Sequence, residues 1–231
     1  MAKGLFVTGT GTDVGKTYVT ALIVKKLREA GLNAGYYKAA LSGAERVDGR
    51  LVPGDAEFVR RAASIAGDPS ESVSRIYEHA YSPHLAAKIE GGPLRMETVR
   101  EDFRRLSERY DPLTVEGSGG IVCPISFGEG ERLMLADIVR GLGLPAVVVS
   151  GSGLGAINAA VLTVGYMRAH GMEPRTVIMN DWVPGGIIEE DNRKMIEELT
   201  GLPVAATVER GADDIGIGAA ELLKLYGGEI R

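Results

Sequence analysis

Short apolar runs alternate along the chain with segments whose apolar residues recur at helical spacing. The runs predict buried strands at residues 5–8, 34–37, 113–116, 146–150, 176–179 and 204–208. The helical spacing predicts helices near residues 17–30, 55–66, 96–110, 133–141, 155–170, 188–199 and 217–226. This alternation predicts an α/β fold, with a mostly parallel sheet and helices on both faces. We expect residues 1–231 to form one domain, with a mobile polar loop at residues 44–54.

The segment between the first predicted strand and the first predicted helix reads GTGTDVGKT, residues 9–17. A buried strand, a glycine-rich turn, Gly-Lys-Thr and a helix form the P-loop arrangement. Backbone N–H groups and the helix N-terminus make a concave positive site there, so the segment predicts phosphate binding rather than a simple glycine turn. Lys16 would contact the β- and γ-phosphates, and Thr17 would supply an oxygen to Mg²⁺. The usual P-loop spacing would require a glycine at position 10, where this chain has Thr10. The loop that starts at Gly9 is therefore one residue longer than usual.

Charged residues follow two further predicted strands, where ligands gather in parallel sheets. Lys38 ends the second strand beside the P-loop, which favours a role in steadying charge on a transferring phosphoryl group. Glu116 leaves the third strand into glycines, as the carboxylate of a Mg²⁺ site does. The alternatives are a solvated lysine at a strand end and an ordinary turn acid. Asp55 stands at a predicted helix start, where a capping role is always plausible.

Two later segments have the same kind of position. Residues 150–158, SGSGLGAIN, form a second glycine-rich loop that opens a helix, so they offer N–H groups to an anion or simply allow close helix packing. Asn180 and Asp181 end the fifth strand, where an amide could pair with a purine edge or belong to a turn.

Cys123 is expected to be a small buried residue rather than a nucleophile, because no histidine lies near it in sequence. Trp182 is expected to pack in or beside the core.

Composition narrows the class of partner. The chain has 26 Lys and Arg against 31 Asp and Glu, a net charge of −5, which disfavours nucleic acid and anionic membranes as partners. One cysteine cannot form an internal disulfide, which fits a reducing cytoplasm. Residue 5 already lies in the first predicted strand, so we expect no signal peptide. No apolar run approaches the roughly 20 residues of a membrane helix.

Taken together, the motifs resemble those of the dethiobiotin synthetases, the ATP-dependent enzymes of biotin synthesis. The resemblance covers nearly the whole chain and rests on FVTGTGTDVGKT at 6–17, YKAALSG at 37–43, VEGSGG at 115–120 and LGAIN at 154–158. Smaller matches keep the family's order: Asp55, Ser82-Pro83-His84, Leu162-Thr163 and Asn180-Asp181.

The resemblance implies a role for each matching residue. Thr17, Asp55 and Glu116 would hold Mg²⁺, and Lys16 and Lys38 would flank the reacting carbamate and γ-phosphate. The residues implied to bind ATP are Asp13, Val14, Gly15, Lys16, Thr17, Tyr18, Asp55, Glu116, Gly117, Ser118, Gly119, Asn180, Asp181, Glu209, Arg210 and Gly211. Those implied to bind the substrate are Thr12, Ser42, Gly153, Gly155 and Asn158. Members are homodimers in which the partner subunit helps to bind the substrate's carboxylate tail.

The implied reaction joins CO₂ to 7,8-diaminopelargonate. One amine forms a carbamate, ATP phosphorylates it to a carbamic–phosphoric anhydride, and the second amine closes the ring and expels phosphate. Such chemistry needs charged groups held together more than it needs a protein nucleophile.

Two alternatives keep the same P-loop fold. One is an ATP-dependent ligase or amidotransferase-synthetase-like enzyme acting on another carboxylate or amine. Such enzymes usually carry a glutaminase domain with a Cys-His pair, for which this chain is short. The other is a partitioning-type ATPase switch, whose loop has an early lysine; Thr10 and Gly11 stand there instead.

The chain also departs from the family pattern at four places. Ala39 replaces a usual proline, and residues 122–125 read Val-Cys-Pro-Ile in place of a Val-Pro-Leu pattern. Residues 206–209, which would border the nucleotide base, read Ala-Thr-Val-Glu in place of Gly-x-Ile-Pro. Asn192 stands where some members use a tyrosine near the substrate tail.

Overall fold

The computed structural model describes residues 3–128 and 131–227. Its centre is a seven-stranded sheet in the order β11-β10-β9-β1-β6-β2-β5, in which every neighbouring pair is parallel. The strands are β1 (Gly4–Gly9), β2 (Gly35–Ser42), β5 (Val73–Tyr77), β6 (Leu113–Glu116), β9 (Ala146–Gly151), β10 (Pro174–Trp182) and β11 (Val204–Glu209). Two small antiparallel hairpins supply β3 (Glu45–Val47) with β4 (Arg50–Val52), and β7 (Pro124–Gly128) with β8 (Glu131–Met134).

Helices cover both faces of the sheet. They are α1 (Lys16–Glu29), α2 (Gly54–Ala62), α3 (Pro83–Glu90), α4 (Met96–Arg109), α5 (Leu135–Leu142), α6 (Ala156–Ala169), α7 (Ile187–Thr200) and α8 (Ala219–Leu225), with a short 3₁₀ helix at Pro69–Ser72. The predicted α/β fold with a mostly parallel sheet is therefore confirmed. A parallel sheet buried on both faces reads as continuous apolar runs rather than alternating ones, which explains why the strand signal was strong.

The central strand shows this burial most clearly. Every residue of β1 is buried, and Leu5, Phe6 and Val7 have no exposed surface. β6 and β9 flank β1, with Val7 opposite both Glu116 and Val147. The carboxyl ends of β1, β6 and β2 therefore lie side by side, which is where a parallel sheet binds its ligands.

Several predictions about elements were wrong. Residues 44–54 contain the β3–β4 hairpin, and residues 133 and 134 belong to β8 rather than to a helix. β5 and α3 were not predicted at all. β2 continues to Ser42 and β10 to Trp182, so Lys38 and Asn180 lie within strands and not at their ends. The polar residues Lys38 and Asn180 predict that each strand ends there, but pairing with the neighbouring strands keeps the backbone extended to Ser42 and Trp182.

Candidate functional site

The P-loop connects β1 to α1 in the predicted way. Gly15 caps α1 with a φ of 89°, a left-handed conformation that glycine adopts without strain. A side chain at Gly15 would collide with the side-chain amide of Asn180 on β10. The first turn of α1 contains no acidic residue. Its free N–H groups are therefore left to an anion.

Lys16 is held inside this loop. It is 7% exposed, and its Nζ donates a hydrogen bond to the carbonyl oxygen of Gly11 at 2.8 Å. Burial lowers the pKa of Lys16, and the neighbouring cation Lys38 lowers it further. Two cations this close favour a dense negative charge between them, as a triphosphate or a carbamate provides.

Lys38 lies in a buried cluster with two carboxylates. Its Nζ donates to Oε1 of Glu116 at 2.7 Å and to Oδ2 of Asp55 at 2.5 Å. Burial alone would lower the pKa of Lys38, but Glu116 and Asp55 outweigh burial and raise it. The lysine therefore stays charged at neutral pH. The alternative of a solvated lysine at a strand end was wrong, because the Lys38 side chain is only 5% exposed.

Glu116 is the centre of this cluster. Oε1 also accepts a hydrogen bond from Oγ1 of Thr17 at 2.7 Å, and Oε2 accepts one from the phenol of Tyr36 at 2.8 Å. Burial raises the pKa of Tyr36 well above its usual value, and the negative charge of Glu116 raises it further, so the phenol remains a donor. The sequence interpretation missed Tyr36. Its spacing of two from Lys38 on one strand was the available signal.

A cavity of about 680 Å³ opens over these groups. Its lining residues are Thr12, Asp13, Gly15, Lys16, Thr17, Tyr18, Lys38, Ser42, Asp55, Phe58, Glu116, Ser118 and Gly119. All but one of them were predicted as site residues. The exception is Phe58, which lies one helical turn after Asp55 on α2 and whose ring is 6.2 Å from that of Tyr18. The fold thus brings the P-loop, β2, α2 and the segment after β6 to one cavity.

The remaining predicted residues lie at three other places. Val14 and Gly117 belong to the same loops but do not line the cavity, and Gly117 is buried against Leu135. Asp55 lies in the first turn of α2, but Pro53 is the helix cap, so the predicted alternative of a capping role was wrong. The Asp55 carboxylate instead lines the cavity, where it accepts the hydrogen bond from Lys38.

The predicted nucleotide-base residues lie among the last residues of β10 and at or just after the end of β11: Asn180 and Asp181 are inside β10, and Glu209 ends β11. Asn180 is 6% exposed and packs against Gly15, and its Oδ1 is buried without a hydrogen-bond partner among the described residues. Asp181 forms an ion pair with Arg210 at 3.1 Å. Tyr18 donates a hydrogen bond to the carbonyl of Ala212, which ties α1 to the segment after β11. Glu209 ends β11, and Arg210 and Gly211 follow it at the surface.

The second glycine-rich loop lies outside the main cavity. Gly155 caps α6 with a φ of 86°, and Gly153 and Asn158 flank that cap. Buried Asn192 on α7 donates two hydrogen bonds of 2.8 Å to the carbonyls of Ser152 and Gly153. Asn192 therefore shapes this loop instead of pointing to a ligand.

Cys123 lies near the site as an uncharged thiol. Burial raises the pKa of Cys123 to about 11, although Lys16 and Lys38 oppose that shift. It is a partly buried thiol and lines a smaller cavity of about 270 Å³ with Thr10, Val122 and Thr163. A thiol with this pKa is a poor nucleophile at neutral pH, as the sequence indicated.

Within residues 3–128 and 131–227, no group of three or more His, Cys, Asp or Glu side chains is arranged to hold a metal ion. Thr17, Asp55 and Glu116 instead offer one hydroxyl and two carboxylates around Lys38. Oxygen donors with few carboxylates suit Mg²⁺, which binds proteins through one or two acids and completes its shell with water and phosphate. The donor set therefore fits Mg²⁺.

None of the helices within residues 3–128 and 131–227 has the length and apolar character that a membrane span requires.

Comparison with known proteins identifies the family. A family profile described as "AAA domain" matches residues 3–213. The ATP-dependent dethiobiotin synthetase BioD of Clostridium botulinum strain Eklund 17B is 49% identical over 98% of this chain and 99% of its own length. The BioD of strain 657 is 47% identical over the same shares. The chain belongs to the dethiobiotin synthetase family. It is an enzyme, a ligase that uses ATP.

Solved structures share the fold of this synthetase. The MinC:MinD cell division complex of Aquifex aeolicus has a TM-score of 0.56 at 16% identity, covering 90% of this chain and 81% of that chain. A ParA family ATPase of Chlorobium tepidum has a TM-score of 0.54 at 15% identity, covering 90% and 83%. At these identities the likeness shows the P-loop fold alone. Curated relatives along the whole chain are dethiobiotin synthetases, which places the activity in biotin biosynthesis and not with the partitioning ATPases.

Proposed function

We propose that this synthetase converts 7,8-diaminopelargonate, CO₂ and ATP into dethiobiotin, ADP and phosphate in a Mg²⁺-dependent reaction. The observation that carries the proposal is the cluster of buried Lys38 and Glu116 with the partly exposed Asp55, which lines one cavity together with Lys16. Such a site places two lysines where the reaction would bring together two anionic groups, the nucleotide phosphates and a carbamate. The charged groups of this site, and not a nucleophilic side chain, would promote the reaction.

The reaction runs in three steps. One amine of the substrate attacks CO₂ and loses a proton, which leaves a carbamate. A carbamate oxygen then attacks the γ-phosphorus of ATP, and the bond to the β-phosphate oxygen breaks to release ADP. The second amine attacks the carbamoyl carbon of the mixed anhydride, the bond to the phosphate oxygen breaks, and the cyclic urea forms as a proton leaves.

The two lysines have different tasks in these steps. Lys16, held by the P-loop, neutralises the β- and γ-phosphates. Lys38, which lines the same cavity, neutralises the carbamate as it approaches the γ-phosphorus. Fixed charges placed where negative charge develops lower the barrier without reorganising during the reaction. Thr12 and Ser42 line the same cavity and would donate hydrogen bonds to the carbamate or to the amines, beside the backbone of residues 117–119.

Thr17, Asp55 and Glu116 would hold the Mg²⁺. When bound, this ion would supply positive charge that neutralises the nucleotide phosphates. Thr17 and Lys38 both donate to Oε1 of Glu116, and Lys38 also donates to Asp55, so the three oxygen donors are already gathered around one point. Among residues 3–128 and 131–227, these oxygens are the donor set next to the P-loop that best suits the ion.

Asn180 would read the nucleotide base. Its side chain lies against Gly15 at the end of the P-loop, and its Oδ1 has hydrogen-bonding capacity to spare. Because that oxygen is buried, the amide would turn to accept a hydrogen bond from a purine amino group. Asp181 and residues 209–211 lie at the same edge of the sheet and would border the base.

A second copy of the chain would complete the substrate site. Four large apolar side chains are exposed on and beside α6: Val122 at 53%, Leu154 at 89%, Leu162 at 64% and Ile187 at 86%. Thr163, next to Leu162, lines one cavity with Val122, so these elements adjoin. A homodimer would cover this face and bring the loop of Gly153, Gly155 and Asn158 to the substrate tail. Sedimentation of Leu162→Glu tests it: a monomer supports the interface, and an unchanged dimer contradicts it.

The direct test is mass spectrometry of the reaction products. Purified protein is incubated with ATP, Mg²⁺, bicarbonate and 7,8-diaminopelargonate, with Lys16→Ala as the matched control. Dethiobiotin and ADP formed in equal amounts, and absent with Lys16→Ala, would support the proposal. ATP hydrolysis or binding with no ring-closed product would contradict it and favour another amine or carboxylate substrate. Replacing ATP with GTP or CTP in the same assay tests the base contact of Asn180.

A further inference from the structure

The phenol of Tyr36 contacts Glu116, the buried acid of the site. It lies two residues before Lys38 on β2, and side chains at that spacing leave a strand on the same face. The sheet register places Lys38 opposite Glu116, and Tyr36 opposite Thr114. The Tyr36 phenol therefore extends along the sheet to Glu116 and donates to its Oε2 at 2.8 Å. Tyr36 is only 1% exposed, so the contact is closed to solvent.

The hydrogen bond from Tyr36 controls which way the carboxylate turns. The terminal torsion of a glutamate side chain has a broad, weakly restricted energy profile, so the group needs an external anchor to hold one orientation. Oε1 accepts hydrogen bonds from Thr17 and Lys38, while Oε2 accepts one from Tyr36. Tyr36 and Glu116 are each only 1% exposed, so bulk water does not reach the contact between them. Without Tyr36, Oε2 would be left as a buried acceptor with no partner, or the carboxylate would rotate away from Lys38.

We infer that Tyr36 is a positioning residue for the synthetase reaction. It holds Oε2 of Glu116 so that Oε1 is presented to Thr17 and Lys38 at the phosphate and metal site. Tyr36 does not itself line the cavity, so it acts through Glu116 and not on the substrate. This inference rests on the proposed role of Glu116.

The strand itself provides a matched control. Tyr37 is the next residue on β2, has no exposed surface, and shares a hydrogen bond with Ser74 at 2.7 Å on the other face of the sheet. Tyr226 is a second control, because its phenol shares a 2.6 Å hydrogen bond with Thr114, the register partner of Tyr36. Each Tyr→Phe change removes one buried phenol oxygen, but only Tyr36→Phe removes a contact of Glu116.

The experiment compares Tyr36→Phe with Tyr37→Phe and Tyr226→Phe at a temperature where all three are folded. We expect Tyr36→Phe to lower kcat and to raise the Mg²⁺ concentration for half-maximal turnover by about tenfold each, as loss of an outer hydrogen bond to a metal-binding group does. The KM for the diamine should change little. In a binding assay without turnover, MgADP should raise the melting temperature of Tyr36→Phe less than that of the controls.

The three variants should lose similar stability without ligand, and the controls should keep the wild-type Mg²⁺ dependence. Equal Mg²⁺ dependence and equal MgADP stabilisation in Tyr36→Phe and Tyr37→Phe would overturn the inference. Glu116→Gln separates this failure from that of the proposed function. If Glu116→Gln is inactive while Tyr36→Phe matches its controls, the role of Tyr36 alone is wrong. If Glu116→Gln is fully active, the assignment of Glu116 fails and the inference fails with it.

Discussion

Lys38 Nζ lies 2.7 Å from Oε1 of Glu116, and both side chains are buried in the middle of the sheet. Their Cα atoms are register partners on β2 and β6, so the backbone itself fixes the pair. Removing two charges from water costs several kcal/mol per ion, and such a pair often stabilises a fold no better than apolar residues would. Stability therefore does not explain this pair. The position of the pair beside the P-loop explains it better, because the proposed phosphoryl transfer needs a fixed buried charge.

Replacing Lys38 with alanine should reduce turnover far more than ATP binding. In the proposed reaction this lysine would face the carbamate and the γ-phosphate, and loss of one such preorganised donor typically costs about 10²–10³ in kcat. The measurements are kcat from product formation and the ATP dissociation constant from calorimetry. Lys88→Ala, an exposed lysine on α3, is the control. Unchanged turnover in Lys38→Ala would show that the assigned role is wrong.

Replacing Lys16 with alanine should damage both ATP binding and turnover. Its Nζ is anchored to the P-loop at Gly11, so the change would remove the proposed phosphate contact and also the hydrogen bond that holds the loop. Calorimetric titration with ATP and the product assay measure the two effects. A variant that binds and turns over ATP normally would contradict the P-loop interpretation.

Replacing Glu116 with glutamine keeps the shape of the side chain but removes its charge. The change should lower turnover by about 10- to 100-fold and weaken the response to Mg²⁺, since one oxygen ligand becomes neutral. It also leaves Lys38 with Asp55 as its remaining acidic partner. Turnover as a function of Mg²⁺ concentration gives the result, and Glu57→Gln, an exposed acid on α2, serves as control. Wild-type Mg²⁺ dependence in Glu116→Gln would argue against a metal ligand here.

Replacing Asn192 with alanine should affect the diamine more than ATP. Its amide shapes the loop at residues 152 and 153 through two hydrogen bonds, and that loop is proposed to meet the substrate tail. We expect a higher KM for the diamine and an unchanged KM for ATP, measured by steady-state kinetics. A lower melting temperature with both KM values unchanged would mean that Asn192 serves the fold only.

Cys123 should resist alkylation at neutral pH. Because burial raises its pKa to about 11, the thiol is protonated below that pH and the reactive thiolate increases only as pH rises toward it. The labelling rate with iodoacetamide, followed by intact-mass spectrometry, should therefore rise with pH until the protein unfolds. Rapid labelling at neutral pH would contradict the raised pKa. Cys123→Ala should keep its turnover.

The sequence was enough to predict the main architecture. The central strands are buried on both faces, so their apolar runs were visible without any knowledge of the pairing. β5 was missed because it is an edge strand that reads VSRIY, in which polar residues interrupt the apolar run. The β3–β4 hairpin was missed for a related reason, since its residues are mostly exposed and its pairing gives no apolar pattern.

The candidate site likewise has a part that the sequence predicts and a part that depends on the tertiary structure. The P-loop could be predicted from sequence because it is a local structure: a strand, a glycine turn and a helix start within one short segment. The spacing of two shows only that Tyr36 shares a strand face with Lys38, and nothing local shows that its phenol donates to Glu116, 80 residues later. Phe58 carries no local signal, because its sequence context does not distinguish a cavity wall from the core. Asn192 is similar, since its amide contacts a loop about 40 residues earlier in the chain.

By itself, the sequence determined the α/β class, the phosphate loop and the resemblance that the curated relatives confirm. Those properties depend on apolar spacing and on contiguous motifs, which a chain carries before it folds. The tertiary structure decided that Lys38 is buried between two acids, that Asp55 is not a cap, and that Tyr36 reaches Glu116. These depend on which strands become neighbours and in what register, and burial then makes each charge and each hydrogen bond matter far more than it would in water.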